Sequence, residues 1–466
     1  MTLSVEAPRA ATRPALVLTI LVTCQLMLAL DVTVMNVALP RIQADLGFSA
    51  TGLAWVLNAY TLVFGGLLLL GGRAGDLFGR RRLFVGGVAL FTLASLAGAF
   101  ATTPALLLAA RVLQGLGAAA AGPSTIALIA TTFTEPARRV RALAVFSGVT
   151  SGGFAIGLIL GGLLTELTSW RAVLLINVPV GVAVVALSLR HLSEPLHHKG
   201  KLDLPGALGA TAGSAALVYG FIRAASAGWS SAGTVVPLAA GVVLLAAFVA
   251  WERRAGQPLL PLRLFAHRDR AAAYLNFFFG PMAMFACFFF LTQFLQDVRG
   301  LSPLATGFAF LPMAVPLFGM TRLMPALLAR FGLKPSALAG TALMTASLVW
   351  LTTLAPDSGY VGGVLGPFLL LGTGVGLAFA PLNVVIMGSV PPADAGAAGG
   401  VLQAMQNIGA TLGLAVLVTV FGTATRHATG DPAAVLVHGM TVAFAVAAGI
   451  AAATFAVALT FRGRTT

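Results

Sequence analysis

Long apolar runs, parted by short polar breaks, recur from one end of the chain to the other. A helix needs about 20 residues to cross the hydrocarbon core of a bilayer. Runs of that order fall roughly at 15–39, 53–72, 83–102, 104–130, 140–165, 170–189, 203–223, 234–252, 271–296, 304–329, 335–354, 359–388, 398–424 and 438–460. The pattern predicts fourteen transmembrane helices, because a helix satisfies its own backbone polar groups where no water can. The first run follows Arg9 and Arg13, is too long for a secretory signal and lacks a small-residue cleavage site before the next run. It is expected to be retained. No stretch remains for a large soluble domain.

Composition points the same way. Of 466 residues, 58% are hydrophobic and 9% charged, where a soluble protein carries about 25% charged residues. Too little polar surface exists to cover a water-soluble globule. The net charge of +14 raises the question of a nucleic-acid partner, and the positions of the charges answer it. With the amino terminus inside, the inner segments hold 21 of the 28 basic residues: Arg9, Arg13, Arg73, Arg80, Arg81, Arg82, Arg138, Arg139, Arg141, Arg190, Lys199, Lys201, Arg253, Arg254, Arg263, Arg268, Arg270, Arg330, Lys334, Arg462 and Arg464. Arg41, Arg171, Arg223, Arg299 and Arg426 fall outside. This is the positive-inside bias of a cell-membrane protein with both termini cytoplasmic, not a nucleic-acid footprint. Trp55, Trp170, Trp229, Trp251 and Trp350 all stand near run ends, as an interfacial aromatic belt requires. Cys24 and Cys287 lie in different runs and read as small packing residues rather than a disulfide or metal pair.

The stretch "ALDVTVMNVALP" puts a carboxylate inside the first run. An ionisable group there is costly unless paired, neutralised or wetted, and so marks a functional site. At 1.5 Å per residue, Asp31 lies roughly 13 Å below the outer end of its span and Arg111 roughly 10 Å below that of the fourth. Each is the simplest partner for the other, directly or through water, and Asn177 adds a polar group at the same level. A buried carboxylate beside a cation exchanges protons if conformational change alters its solvation. A fixed salt bridge setting helix register is the alternative. Glu166, near the outer end of the fifth span, is the second candidate for proton coupling. Arg322 reads as a residue that snorkels to the inner interface.

An internal repeat organises the chain. "LGFSATG" returns as "RGLSPLATG" and "DLFGRRR" as "ARFGLKP", with Gly47 and Gly300, Ser49 and Ser302, Phe78 and Phe331, Gly79 and Gly332 all at the same offset. The expected organisation is a six-helix half over 1–189, a linker over 190–202, an inserted helix pair over 203–252, a linker over 253–270 and a second six-helix half over 271–466. Repeated halves that rock about a mid-membrane site are the architecture of secondary transporters.

The motifs resemble those of the major facilitator superfamily, in its fourteen-span drug:proton antiporter branch, over nearly the whole length. They are "LDVTVMNVALP", "GGRAGDLFGRRR", "RVLQGLGAA", "SWRAVLLINVPVG", "GLSPLATGFAFLP" and "VPPADAGAAGG". The chain departs from the branch at Leu158, where its fifth-span motif carries a proline, and at Gln406, where an arginine is frequent. The glycines of the fifth-span motif survive, and Gly153, Gly157, Gly161 and Gly162 permit close helix approach. The resemblance implies a major facilitator fold. It also implies a conformational switch formed by Arg73, Asp76, Gly79, Arg80 and Arg81, in which Asp76 latches the halves outward-facing. Asp76 stands at the level of the positive helix end near Pro335, where a carboxylate is favoured.

Candidate cavity residues are Asn36, Asn58, Tyr60, Gln114, Asn177, Asn276, Phe285, Gln293, Gln296, Asn383, Gln403 and Asn407. The ninth span, rich in Phe and Met, suits an adaptable apolar pocket. No catalytic triad, phosphate loop or metal-ligand cluster stands out, and His197 and His198 sit in a linker. The expected activity is export of small hydrophobic or amphiphilic molecules in exchange for protons by a monomer in membrane lipid, with neither metal nor cofactor. A facilitator or proton-coupled importer on the same fold stays open, and a membrane enzyme or channel is the alternative of another class.

Overall fold

A computed structural model describes residues 14–194, 202–256, 258–391, 394–426 and 428–461. Arg9, Arg13, His197, His198, Lys199, Lys201, Arg462 and Arg464 lie outside the described residues. Within them the regular secondary structure is helical, joined by turns and loops. The amino-terminal set comprises α1 (Pro14–Leu46), α2 (Ala54–Phe78), α3 (Arg80–Ala99), α4 (Pro104–Thr132), α5 (Pro136–Leu167), α6 (Trp170–Leu175) and α7 (Asn177–His191). Then come α8 (Leu204–Ala227) and α9 (Ala232–Glu252). The carboxy-terminal set comprises α10 (Arg268–Gln293), α11 (Pro303–Ala309), α12 (Leu311–Phe331), α13 (Leu333–Leu351), α14 (Gly366–Gly388), α15 (Ala395–Thr425) and α16 (Pro432–Leu459). The expected sixth span is broken at Ile176 into α6 and α7, and the tenth at Phe310 into α11 and α12.

Thirteen helices among the described residues are long and apolar enough to cross a membrane. The remaining expected span, the eleventh, is α13: it is 19 residues long, carries Lys334 at its second position, and its apolar run is diluted by Pro335, Ser336, Gly340, Thr341, Thr345 and Ser347. It is placed by packing instead, against α14 and α16.

The repeat seen in the sequence reappears in the backbone. Gly47 and Gly300 have φ of 71° and 67°, and Gly79 and Gly332 have φ of 107° and 82°, so both members of each pair occupy the left-handed region that suits glycine. They end or begin equivalent helices: Gly79 separates α2 from α3, and Gly332 separates α12 from α13. The helix crossings repeat too. A Cβ on Gly87 of α3 would meet the Gly117 carbonyl of α4 at 2.6 Å, and one on Gly340 of α13 would meet the Gly374 carbonyl of α14 at 2.7 Å. Small residues let backbones pack directly where lipid offers no hydrophobic drive.

The two sets meet through α2 against α15, α1 against α10 and α5 against α11 and α12. The inserted helices α8 and α9 pack on each other, and α8 also lies on both α2 and α15. The four glycines expected to pack helix to helix do so. Gly153, Gly157 and Gly161 face α1, while a Cβ on Gly162 would stand 2.5 Å from the Pro303 carbonyl of α11. Replacing Gly161 by Ala would press a methyl to 2.8 Å from the Val34 Cα, an overpacking worth about 1–3 kcal/mol. Gly152 of the same helix has nothing within 4 Å of its would-be Cβ. Gly161→Ala is therefore expected to lower the melting temperature of the purified protein, while Gly152→Ala changes stability by no more than about 1 kcal/mol; equal melting of both variants would refute the packing role.

Candidate functional site

The first polar centre is closed on all sides. The Asp31 carboxylate of α1 accepts from Arg111 Nη1 of α4 at 2.5 Å, from Gln114 Nε2 at 3.1 Å and from Asn177 Nδ2 of α7 at 3.0 Å. Arg111 and Gln114 stand three residues apart on one helix face, and Arg111 Nη1 also donates to Gln114 Oε1 at 2.9 Å. Arg111 Nε donates to the Val56 carbonyl of α2 at 2.9 Å, and Ser95 Oγ of α3 accepts from Gln114 Nε2 at 2.8 Å. Asp31 is 1% exposed and Arg111 fully buried. One guanidinium nitrogen, Nη2, has no hydrogen-bond partner. The guanidinium lies over the Tyr60 ring, 4.6 Å from its centroid. Five helices are tied to one another through this network.

Beyond Tyr60 lies the second feature, a cavity of about 1350 Å³ between the two sets of helices. Its wall is mostly apolar, with Phe154, Met284, Phe285, Phe288 and Phe379 among the large side chains, and Gln25, Asn36, Gln403, Gln406 and Asn407 among the polar ones. One mouth carries Arg73, Asp76 and Arg80 together with Pro258, Leu259 and Pro261. The opposite end is shut. Thr292 Oγ1 of α10 donates to Asn36 Oδ1 of α1 at 2.7 Å, and Gln296 Nε2 donates to the Val37 carbonyl at 2.9 Å. Phe288 packs edge-on against Phe154 and stacks on Phe310. The cavity thus opens where the arginine-rich loops lie.

Several expected placements are corrected. Asn36, Tyr60, Phe285, Gln403 and Asn407 line the cavity, but Gln114 and Asn177 spend their amides on Asp31. Asn58 and Asn276 are buried among helices, the latter donating to the Ala272 carbonyl. Gln293 donates to Phe289 O on its own helix, and Gln296 belongs to the closed end. Asn383 is exposed on α14. Glu166, the second candidate for proton coupling, is exposed at the end of α5 and accepts from the Leu304 N–H in the first turn of α11 at 2.9 Å. It caps a helix across the two sets. Gln25 and Thr150 face the cavity as well, beyond the residues expected there. The signal was helical spacing, since Gln25, Ala29 and Asn36 share a face of α1, and Thr150, Phe154 and Leu158 share one of α5.

The switch motif is divided in role. Asp76 pairs with Arg80 one turn on, both at the mouth, rather than with the amino end of α13 near Pro335. Arg81 caps the carboxyl end of α7 through the Ser188 and Leu189 carbonyls. In return Glu194 accepts the first N–H groups of α3, those of Arg81 and Arg82, each at 3.1 Å.

With the geometry in place, comparison with known proteins identifies the class. The sequence profile of the Major Facilitator Superfamily matches residues 21–414, and the chain belongs to that family. It is a multi-pass membrane transporter rather than an enzyme. It is similar to the cephamycin export protein CmcT of Amycolatopsis lactamdurans, 42% identical over 89% of this chain and 86% of that one. It is also similar to the puromycin resistance protein pur8 of Streptomyces alboniger, 43% identical over 93% of this chain and 88% of that one. Among solved structures, an auto-inhibited peptide transporter of the POT family superposes with a TM-score of 0.70 at 16% identity, over 96% of this chain and 97% of that one.

The two polar sets predict different responses to loss of an amide. Gln114→Leu strands lone pairs and protons of a buried ionic network and should cost about 1–3 kcal/mol of stability. Gln403→Leu, on the cavity wall, should leave stability within about 0.5 kcal/mol of wild type while changing transport. Thermal unfolding of both variants in detergent checks this, and an unshifted Gln114→Leu would mean that the network is not structurally coupled.

Proposed function

We propose that the chain exports small hydrophobic or amphiphilic molecules, antibiotic-like in size and character, in exchange for protons by alternating access. The observation that carries this reading is a large, mostly apolar cavity backed by a buried Asp31–Arg111 pair, with Tyr60 touching both. A wall of Phe and Met with a few amides accepts varied apolar shapes and fixes few of their polar groups. The relatives named for cephamycin export and puromycin resistance support an antibiotic-like substrate. The positive-inside bias supports a cell-membrane location with both termini cytoplasmic, which makes the open mouth the cytoplasmic one. A monomer in lipid suffices, since one chain supplies the whole cavity.

In the resting arrangement the Asp31 carboxyl is held by three donors. A proton on Asp31 removes the charge that Arg111 faces and weakens every charge-assisted bond in the network. Asp31 and the cavity-facing Gln25, Thr33 and Asn36 sit on different faces of the same helix, α1. Repacking around Asp31 therefore shifts the wall that holds substrate. Opening at the far side requires the Asn36–Thr292, Val37–Gln296 and Glu166–Leu304 bonds to part. Closure of the near mouth would then let Asp76 leave Arg80 for the amino end of α13, where a carboxylate is favoured by about 0.3–1 kcal/mol. Asp76→Asn should slow turnover severalfold without impairing membrane insertion. Normal turnover in liposomes would remove Asp76 from the switch.

The decisive test is in proteoliposomes with and without a pH gradient. Asp31→Asn keeps the shape but fixes the site neutral and turns an amide NH2 toward one of the three donors, so gradient-driven transport should fail while exchange at equal pH survives at reduced stability. A purely structural pair predicts loss of stability and of every transport mode, because removing one partner of a buried pair costs about 3–5 kcal/mol. The double change Asp31→Asn with Arg111→Gln should restore stability under either reading. Gradient-driven export by that double variant would sink the assignment, and transport indifferent to the gradient in wild type would instead indicate a facilitator.

A further inference from the structure

A second pair of carboxyl groups, outside the transport network, lies at the base of the inserted helices. Asp203 caps α8: its Oδ1 accepts from the Gly206 N–H at 2.9 Å and from the Trp251 indole N–H at 2.8 Å. Glu252 ends α9, is 3% exposed, and through Oε2 accepts from the Leu260 N–H at 3.0 Å. The remaining oxygens, Asp203 Oδ2 and Glu252 Oε1, are buried and have no hydrogen-bond partner. They converge on one point, since a Cβ on Gly206 would stand 2.5 Å from Glu252 Oε1 and 2.7 Å from Asp203 Oδ2.

Ionised carboxylates only accept hydrogen bonds, so two of them cannot bond to each other. Like charges this close and this dry do not both stay ionised. Arg253 and Arg254, next in the chain, are exposed, and among the described residues no ion pair reaches either carboxyl from α2, α9, α15 or the 253–261 segment. A metal cation would need about six oxygen ligands, whereas the other two carboxyl oxygens here are already taken by N–H donors, which repel a cation. A single proton between Oδ2 and Oε1 satisfies both orphaned atoms and removes the repulsion.

We propose that Asp203 and Glu252 form a second proton-binding site, holding one shared proton, which clips the 258–261 segment to the base of α8 and α9 and so sets the frame of the cavity mouth. Leu260 hangs from Glu252 by its N–H, and its neighbours Pro258, Leu259 and Pro261 line the mouth. Loss of the proton leaves two like charges buried face to face. Glu252 then turns to water and releases Leu260. The mouth segment is held at low pH and freed as pH rises, independently of whether Asp31 carries the coupling proton.

The test measures access to a cysteine placed at Leu259 in the full-length protein in liposomes, the native Cys24 and Cys287 being buried. The labelling rate by a charged thiol reagent is divided by that of a cysteine at the exposed Ala137, which cancels ionisation of the thiol itself. The ratio should rise about threefold or more, through one transition, between about pH 5.5 and about pH 8.5. Glu252→Gln or Asp203→Asn, each supplying a permanent N–H where the proton was, should hold the ratio at its low value throughout. A flat ratio in the wild-type background, or a transition that survives both amides, overturns the proposal. So does a ratio set by sodium, potassium or calcium at fixed pH, which would mark a cation site. Should neither amide variant fold, infrared titration of the wild-type protein decides: a protonated-carboxyl C=O stretch must fade through the same pH interval, and its absence refutes the shared proton.

Discussion

Burial of Asp31 against Arg111 is the constraint on which the amino-terminal helices depend. Two charges taken out of water cost several kcal/mol each, and the loss is recovered only if geometry is good and the remaining lone pairs and protons find partners. Gln114, Asn177, Ser95 and the Val56 carbonyl supply those partners, leaving one guanidinium nitrogen without one. Because the contributors come from α1, α2, α3, α4 and α7, the network sets the rotation of each helix about its axis. Rotation of α1 in turn decides that Gln25, Thr33 and Asn36, and not Asp31, face the cavity.

Around that anchor the helices pack through small residues. Glycine carbonyl contacts join α3 to α4 and, at the equivalent place in the repeat, α13 to α14. Such interfaces are rigid in register and leave each set of helices able to move as a body. The contacts between sets are of another kind. At the shut end they are a few side-chain hydrogen bonds, aromatic edges and the Gly162 crossing, which together can be broken and remade. At the open end, Asp76 and Arg80 satisfy each other while the mouth stands between them and the second set. The difference between strong packing within a set and replaceable bonds between sets is what alternating access requires.

The inserted helices α8 and α9 touch both sets through α8, against α2 and α15. This inserted unit rests on both sets of helices and holds the mouth-lining 258–261 segment through Glu252, so it ties the mouth to both of them. Its acidic pair carries no role in the Asp31 network, and it is reached by none of the same residues.

The sequence alone determined the membrane class, the helix positions and the internal repeat, because these rest on local quantities: apolar length, charge placement and glycines whose positive φ is dictated by the turn they sit in. It also brought Asp31 and Arg111 together, since charge in hydrocarbon must find its opposite and depth along two helices can be counted. Side-chain direction was decided only by tertiary structure. A polar residue in an apolar helix faces a cavity, a neighbour or a buried charge according to the rotation of that helix, which packing sets; hence Gln114 and Asn177 turned to Asp31, Asn383 turned outward, and Glu166 capped α11. The Asp203–Glu252 pair was invisible for the same reason. They lie 49 positions apart in the chain, and only the folding of α9 back along α8 brings the two carboxyl groups together.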